Sequence, residues 1–301
     1  MKKSLEVLLT GVVDYAGLFP PAALDMTAAT ESYAEYLEDP DRRLLGRFVV
    51  PVVRLREFDD ATSALLPRGE LSEPWRLSVL PGPDLTADID LALKFNLRHW
   101  SGSELGHAVI DTFETKVSTV DEIAAAASIM PSQVTQYFEI PITADPATLI
   151  AAIKRAGARA KMRTGGVTPT AFPDPTDVAR FMVRCRDANV AFKLTAGLHH
   201  PIRAEYRLTY ADDAPRGMMF GYLNMFVGAA LAWGGADESV VQSALLATSV
   251  HDFHFSDDAV TFGDRVVPIG VLHDARDNFV ISFGSCSFRE PVDDLVALSI
   301  S

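Results

Sequence analysis

The sequence predicts an α/β fold, a single (β/α)₈ barrel over residues 1–301, on three observations. The chain has 301 residues, and such a barrel typically needs about 250. From Arg47 onward, a short apolar run, a polar turn and a helix-like stretch recur at intervals of roughly 25 to 30 residues, the spacing of successive βα units. No GxGxxG motif follows the first strand, which disfavours the alternative, an open doubly wound sheet with a dinucleotide site.

Eight apolar runs are the predicted strands, and the stretches between them are the predicted helices. Parallel strands in this number, joined by right-handed helical crossovers, close most economically as a barrel. The clearest helices are residues 27–37, 120–129, 146–155 and 175–187, the last beginning with Pro175. The strands are VVDYAG from Val12, GRFVVPVV from Gly46, WRLSVLPG from Trp75, HAVIDTFE from His107, VTQYFEIP from Val134, ARAKMRTGG from Ala158, VAFKLTAG from Val190 and FVISFG from Phe279.

The seventh unit is longer than the others, and we expect an enlarged segment between the seventh and eighth strands, with an insertion at about residues 234–278. An apolar helix over residues 217–233 and a second helix over 238–248 are predicted first. The segments FHFS and AVTFG, separated by Asp257 and Asp258, then predict a β-hairpin with a tight acidic turn. We expect the insertion to form a wall beside the mouth of a pocket.

The composition indicates which partners and compartments are expected. The net charge of −13 disfavours nucleic acid or an anionic membrane surface as a partner. The most apolar stretch, residues 218–233, is shorter than the ~20 residues of a membrane span. Without a signal-peptide pattern, we expect a cytoplasmic protein, and a homo-oligomer is compatible with the sequence.

The two cysteines, Cys185 and Cys286, are too few for a disulfide framework. No CxxC or CxxH spacing indicates a zinc site. We therefore expect neither a resident metal nor another cofactor.

Charged side chains are predicted to point into the barrel near the C-terminal ends of four consecutive strands. Side chains alternate along a strand, so one set faces the helices and the other faces the interior. Where Val109 and Phe113 face outward on the fourth strand, Glu114 and Lys116 face inward. The same alternation on the next three strands completes the inward set, which is Glu114, Lys116, Glu139, Lys161, Arg163 and Lys193. Barrel enzymes carry their active sites at this end.

The charge of the inward set favours an anionic ligand. Lysine, arginine and glutamate are almost never buried unless they are paired or used. A structural ion-pair network that fills the barrel is the alternative, and it would need roughly balanced charge. The four cationic side chains outnumber Glu114 and Glu139, so we expect a carboxylate or a phosphate of a small substrate to complete the balance.

Backbone N–H groups at the same end of the barrel are candidates for holding that anion. The Gly165-Gly166 turn follows the sixth strand, and Ser285-Cys286-Ser287 lies where the last strand turns into a helix. Ser287 and Glu290 fit a capping box, so ordinary helix capping is the alternative for this segment. Asp14, at the end of the first strand, is expected to complete the pocket.

Two further groups offer reactive chemistry. His199 and His200 follow the seventh strand, and either is suited to act as a general acid or base. Together with Glu114 or Glu139, a histidine here is also suited to hold a divalent metal. Cys286 at a helix start is a candidate nucleophile, and a packed, inert cysteine is the alternative.

The stretches AKMRTGGVTPTAFPDPTDVARFM from Ala160 and VAFKLTAGLHHP from Val190 resemble strands six and seven of the class I aldolases, in particular the deoxyribose-phosphate aldolase type. The resemblance covers about 45 residues, departs from the family at Arg163 and at His199-His200, and does not extend to the first four strands. It implies that Lys161 is the Schiff-base lysine and that Lys193 is the partner that tunes it. It does not carry over a substrate.

The sequence therefore predicts an enzyme, a lyase or aldolase that forms an imine with a small anionic carbonyl compound. Burial and the neighbouring lysine are expected to lower the pKa of the reactive lysine. Glu114, Glu139 or His199 would shuttle protons. The alternatives are a metal-dependent isomerase or lyase that uses Glu114, Glu139 and His199, and a barrel that binds a small molecule without catalysis.

Overall fold

Each apolar run is followed by a helix that returns the chain to the start of the next strand, so consecutive runs pair in parallel. In the computed structural model, which describes residues 1–298, eight parallel strands close into a barrel, which confirms the predicted fold class. In chain order the strands are β1 (Val13–Tyr15), β2 (Leu45–Pro51), β3 (Trp75–Leu80), β4 (Ala108–Lys116), β5 (Thr135–Glu139), β6 (Arg159–Arg163), β7 (Phe192–Thr195), β8 (Ala204–Arg207), β9 (Arg216–Met219), β10 (Phe253–Phe255), β11 (Ala259–Phe262), β12 (Arg265–Pro268) and β13 (Val280–Ser285). The barrel runs from β1 to β7 and then to β13, which pairs with β1.

Five of the helices within residues 1–298 begin at a residue whose side chain caps them. Asp25, Asp84 and Asp237 each accept a backbone N–H from the first turn of their helix. Asp174 and Pro175 begin the helix after β6, as predicted. In chain order the helices are α1 (Lys3–Leu9), α2 (Met26–Leu37), α3 (Leu55–Thr62), α4 (Leu85–Arg98), α5 (Val120–Ile129), α6 (Ala147–Arg155), α7 (Pro175–Asp187), α8 (Tyr222–Trp233), α9 (Glu238–Leu246), α10 (Ile269–Asn278) and α11 (Arg289–Ala297).

An apolar layer packs the helices on the outside of the barrel. The ring of Phe192 on β7 is fully buried and meets the ring of Phe181 on α7 edge-on, with 5.3 Å between centroids. Phe192 and Leu194 both belong to the apolar core. Because side chains alternate along a strand, Lys193 between them is turned into the barrel.

The fourth strand departs from the predicted alternation because it contains a β-bulge. Leu77 on β3 pairs with Ile110, and the next residue of β3 pairs with Thr112, so Asp111 is an extra residue. Ala108, Ile110 and Phe113 therefore pack in the apolar core. The outward assignment of Val109 was wrong, since the bulge shifts the alternation by one residue, while the assignments above the bulge are unaffected.

The bulged residue anchors three neighbouring strands. The carboxylate of Asp111 lies 2.6 Å from Nε of Arg47 on β2 and 2.5 Å from Nη2 of Arg76 on β3. These ion pairs join the N-terminal halves of β2, β3 and β4. A second, separate charged group therefore occupies the barrel below the predicted active end.

The seventh unit contains a hairpin that the sequence reasoning missed. Residues Arg216–Met219 form β9 and pair with β8 in an antiparallel two-stranded sheet. The helix predicted from residue 217 therefore begins only at Tyr222. An apolar run does not distinguish a short strand followed by a helix from one longer helix, which explains the error.

The predicted hairpin at Asp257-Asp258 is present as β10 and β11, and β12 extends it to a three-stranded sheet. The backbone N–H of Lys3 donates to Asp257, and that of Ser4 donates to the carbonyl of Ser256. The sheet thus packs against α1, the helix that precedes β1, and not at the C-terminal ends of the strands. The expectation that residues 234–278 form a wall beside the pocket was wrong.

Gly197, just after β7, provides a test of close packing in the turns above the barrel. Its backbone has a φ of +73° and approaches Gly165 so closely that an added methyl carbon would lie 2.8 Å from the α-carbon of Gly165. We expect Gly197→Ala to lower the free energy of unfolding by about 1–3 kcal/mol more than Gly263→Ala does. Gly263 has a φ of +59° with nothing within 4 Å of the added carbon, so it isolates the backbone cost. Urea unfolding of both variants measures the difference, and equal losses would contradict the packing argument.

Candidate active site

A cavity of about 430 Å³ opens at the C-terminal ends of the barrel strands. Its charged floor consists of Glu114, Glu139, Lys161 and Lys193, which come from β4, β5, β6 and β7. His199 also contributes to the lining, so the structure brings together all the residues that the sequence predicts as catalytic. Of the predicted substrate-binding residues, Lys116, Arg163 and Gly166 line the same cavity.

Glu114 is shared between the two lysines at the cavity floor. One carboxylate oxygen, Oε2, lies 2.7 Å from Nζ of Lys161, and the other, Oε1, lies 2.6 Å from Nζ of Lys193. The hydroxyl of Ser78 donates a hydrogen bond of 2.5 Å to Oε1. Glu114, Lys161 and Lys193 are all at most 5% exposed, so these contacts are almost free of screening by water.

Asp14 on β1, which is separated from β7 only by β13, is the second carboxylate that holds Lys193. Its Oδ2 lies 2.5 Å from Nζ of Lys193 and accepts a hydrogen bond from Ser282, while its Oδ1 accepts the backbone N–H of Arg47. Asp14 is 1% exposed and does not line the cavity. In the structure its carboxylate holds a buried ammonium group, and its part in substrate binding stays a prediction.

The neighbour of Asp14 on β2 has to be a glycine. A Cβ on Gly46 would lie 2.4 Å from Oδ1 of Asp14. Any larger residue would push the carboxylate away from Lys193. The glycine at this position therefore leaves the space that the Asp14 carboxylate occupies.

The carboxylates around Lys193 keep it protonated. Burial by itself opposes the ammonium form, but Asp14 and Glu114 outweigh it and raise the pKa of Lys193 above its ordinary value. The sequence reasoning did not bring Asp14 to this lysine, so the raised pKa of Lys193 is a finding of the structure. For Glu114, burial acts to raise the pKa, yet Lys161 and Lys193 hold it well below its ordinary range.

Lys161 connects the buried floor to the mouth of the cavity. Its Nζ lies 2.8 Å from Oε2 of Glu139, whose other oxygen lies 3.9 Å from Nη1 of Arg163. The Arg163 side chain is 59% exposed, and Lys116 is exposed as well. With Asp14 included, the buried floor holds three carboxylates and two ammonium groups. The positive charges of Arg163 and Lys116 lie at the mouth.

Three predicted anion-binding residues do not line the cavity, namely Gly165, Ser285 and Ser287. A Cβ on Gly165 would lie 2.5 Å from the ring of Phe172, so this glycine serves packing. The backbone carbonyl of Ser285 accepts the N–H of Ala16, and its side chain is buried. The predicted part of these three residues in anion binding stays a prediction, because strand ends alone do not indicate which turn faces the cavity.

Only half of the predicted capping box exists at the start of α11. The hydroxyl of Ser287 accepts the backbone N–H of Glu290 at 3.1 Å, as expected. The Glu290 carboxylate, however, turns to His199, whose Nδ1 lies 2.8 Å away. Tyr210 also donates to the same oxygen at 3.0 Å.

Glu290 is therefore a member of the site that sequence reasoning assigned only to capping. Burial acts to raise the pKa of Glu290, but the contact with His199 lowers it overall. His200 forms a parallel pair with Asp294, at 2.5 Å from Nδ1 to Oδ2. The four-residue spacing puts Glu290 and Asp294 on one helix face, but the sequence does not indicate that this face meets His199 and His200.

Cys286 lines the cavity but is only 4% exposed. Burial raises the pKa of its thiol, and the Tyr210 hydroxyl lies 3.6 Å from its sulfur. A raised pKa disfavours the thiolate that a nucleophile needs. The alternative of a packed cysteine is the one that these observations favour.

No cluster of three or more His, Cys, Asp or Glu side chains suited to a metal ion occurs within residues 1–298. The oxygens of Glu114 and Glu139 contact ammonium groups instead. His199 is paired with a third carboxylate, that of Glu290. The donor set that the metal-dependent alternative requires is therefore not assembled here.

Comparison with protein-family models, with curated proteins and with solved structures finds no match to this chain. The relation to the class I aldolases stays a prediction. Among the described residues, no helix combines the length and apolar character that a membrane crossing requires. What the site does has to be argued from its own geometry.

The shared carboxylate provides a direct stability test. We expect Glu114→Gln to lower the free energy of unfolding at pH 7 by about 3–5 kcal/mol, because it leaves two buried ammonium groups short of a partner. The control is Glu73→Gln, an exposed position, where a loss within about 0.5 kcal/mol is expected. Urea unfolding monitored by circular dichroism measures both, and similar losses would contradict the assigned role of Glu114.

The pH dependence of this difference follows from the direction of the pKa shift. The pKa of Glu114 is lower in the folded state than in the unfolded state, so its stabilisation is present above the unfolded value and is lost as the pH falls. We expect the stability gap between wild type and Glu114→Gln to be full at pH 7 and to shrink below about pH 4. A gap that stays constant from pH 7 to pH 3.5 would rule out this electrostatic origin.

Proposed function

We propose that this protein is a lyase that forms an imine between Lys161 and the carbonyl group of an anionic substrate. The observation that carries the proposal is the sharing of one buried carboxylate, Glu114, by Lys161 and Lys193 at the floor of a cavity. A lysine that attacks a carbonyl must first lose a proton, and a neighbouring ammonium group, here that of Lys193, favours that loss.

The two lysines differ in the partners that surround them. Lys193 is 1% exposed and is held by Asp14 and Glu114, which raise its pKa. It is suited to remain an ammonium group that repels a second positive charge and stabilises developing negative charge. Lys161 contacts Glu114 and Glu139, and Glu139 borders the more exposed part of the cavity. Lys161 is therefore the better candidate for the nucleophile.

The chemistry can be written with the groups that are present. The nitrogen of Lys161 attacks the carbonyl carbon, the C=O electron pair moves to oxygen, and loss of water gives an iminium ion. A base then takes the proton of a β-hydroxyl group and the carbon–carbon bond breaks to release an aldehyde. The electron pair of the broken bond forms the C=C bond of an enamine, and the C=N electron pair moves onto nitrogen. Protonation of the resulting enamine carbon and hydrolysis by water free Lys161.

Glu139 and His199 are the candidates for moving these protons. Glu139 contacts Lys161 directly at 2.8 Å. His199 lines the cavity and is fixed through Nδ1 by Glu290, so Nε2 is the nitrogen left for the substrate. A histidine oriented by a carboxylate is a common arrangement for a general acid or base.

Lys116 and Arg163 are the candidates for binding the anionic group. Both line the cavity, and both are exposed at its mouth. Arg163 makes a contact of 3.9 Å with Glu139, which is too long for a direct hydrogen bond. A carboxylate or phosphate would gain a closer pair there.

Borohydride trapping tests the reactive lysine. Incubation with aldehydes and 2-keto acids, followed by borohydride and peptide mapping, should label Lys161 in the wild type, and no adduct should form at this position in Lys161→Met. Lys193→Met should keep the Lys161 adduct but form it at least tenfold more slowly, about 1.4 kcal/mol. The control for general lysine labelling is Lys94→Met on α4, where the side chain is 62% exposed.

Labelling at Lys193 in the wild type would exchange the two roles. The absence of any adduct across the whole panel, with a metal found in the purified protein, would favour the metal-dependent alternative. Circular dichroism of each variant shows whether the protein is folded, so that a lost adduct is attributed to chemistry.

Arg163→Ala tests the anion site. Removal of this side chain should raise KM at least tenfold, about 1.4 kcal/mol, with little change in kcat, because the lost interaction is with a part of the substrate that does not react. Its exposure makes a folding defect unexpected. The matched control is Arg184→Ala on α7, whose partner is Asp145 and which does not line the cavity. An unchanged KM for Arg163→Ala would show that the anion binds elsewhere.

A further inference from the structure

The wall of the cavity has a different chemical character from its floor. Beside the charged floor, the larger lining side chains are apolar, and they are residues 19–21, Val49, Leu80, Pro81, Leu208 and Met219. Thr195 is the one neutral hydroxyl-bearing side chain among the lining residues that the structure describes. A hydroxyl group that lies against these apolar side chains would lose its water and find few side-chain partners.

The two kinds of surface lie on opposite sides of the barrel. The floor lysines come from β6 and β7, whereas Val49 and Leu80 come from β2 and β3. In a ring of eight strands, β2 lies opposite β6 and β3 lies opposite β7. A molecule whose carbonyl group reaches Lys161 therefore has its remaining atoms facing an apolar wall.

The hairpin of β8 and β9 completes this wall with one of its two faces, while the other face is exposed. Leu208, just after β8, and Met219 of β9 line the cavity and are 2% and 3% exposed. Met218, next to Met219, points the other way and is 45% exposed. Since side chains alternate along a strand, the hairpin presents its apolar face to the cavity.

The cavity also has a larger volume than the smallest carbonyl compounds would fill. About 430 Å³ corresponds to roughly a dozen water molecules at about 30 Å³ each. Pockets of this size and apolar lining are typical for ligands that bury an apolar body and fix it with a few polar groups. A carbonyl compound of three or four carbons would leave most of this wall in contact with water.

We propose that the substrate carries an apolar body, an aromatic ring or a branched alkyl group, attached to the carbonyl that reaches Lys161. The body packs against the apolar wall, including Leu208 and Met219, and the anionic group lies at the mouth beside Lys116 and Arg163. This inference rests on the proposed imine chemistry for the carbonyl end only. It excludes small polyhydroxylated aldehydes and ketones as the preferred substrates.

A comparison of trapping rates for two aldehydes tests the substrate class. 3-Phenylpropanal and D-glyceraldehyde are each incubated with the protein and borohydride, and the rate of adduct formation at Lys161 is divided by the rate with N-α-acetyl-lysine under the same conditions. This ratio should be at least tenfold higher for 3-phenylpropanal. An equal or higher ratio for D-glyceraldehyde overturns the inference about the apolar body while leaving the imine chemistry standing.

Three variants of the hairpin locate the effect. Met219→Gln keeps the length of the side chain but adds an amide, and should reduce the ratio for 3-phenylpropanal at least fivefold with no loss for D-glyceraldehyde. Met218→Gln is the matched control on the exposed face and should leave both ratios unchanged. Met219→Leu, which retains an apolar side chain, should stay within about twofold of the wild type. Equal effects of Met219→Gln and Met218→Gln contradict the assigned wall.

A ligand without a carbonyl group separates the two proposals. 3-Phenylpropanol should raise the melting temperature of the wild type and of Lys161→Met, whereas erythritol at the same concentration should not. Stabilisation by 3-phenylpropanol without any Lys161 adduct from the aldehydes would overturn the imine function and keep the apolar site. A Lys161 adduct without this stabilisation would overturn the apolar site and keep the imine function.

Discussion

The contact on which the structure most depends is the one between the Glu114 carboxylate and two lysine ammonium groups. A single buried carboxylate between two cations is stable only if each cation has a further partner, and Asp14 and Glu139 supply them. These groups come from β1, β4, β5, β6 and β7. The barrel has to close in the observed register for the charges to meet, so the fold and the site depend on each other.

The residues around this network of carboxylates and lysines fix its side chains in one arrangement. Ser78 and Ser282 donate to Glu114 and Asp14, and Gly46 leaves room for the Asp14 carboxylate. Fixed donors of this kind keep buried charges oriented without reorganisation, which is what catalysis by preorganised charge requires. A network that only filled the barrel would have no need to end at a cavity. This one ends at Lys161 and Glu139, which line it.

The cavity above the network combines a charged floor with an apolar wall. Charged groups on the side of β4 to β7 face apolar groups on the side of β1 to β3 and the hairpin. The His199–Glu290 pair, supported by Tyr210, stands at the edge between them. Under the proposed imine chemistry, this division would separate the part of a substrate that reacts from the part that is recognised.

The sequence by itself determined the barrel and the inward direction of Lys161, Lys193, Glu114 and Glu139. Strand periodicity is a local property, so it is visible in the order of neighbouring residues without knowledge of the fold. It did not determine the register shift at Asp111, the hairpin of β8 and β9, or the pairing of Glu290 with His199. Those depend on how far a strand is displaced against its neighbour and on which helix end reaches which turn. Only the tertiary structure brought Asp14 on β1 to Lys193 on β7, with β13 between them. The raised pKa of Lys193 follows from this contact, because the charge state of a buried group is set by partners distant in the chain.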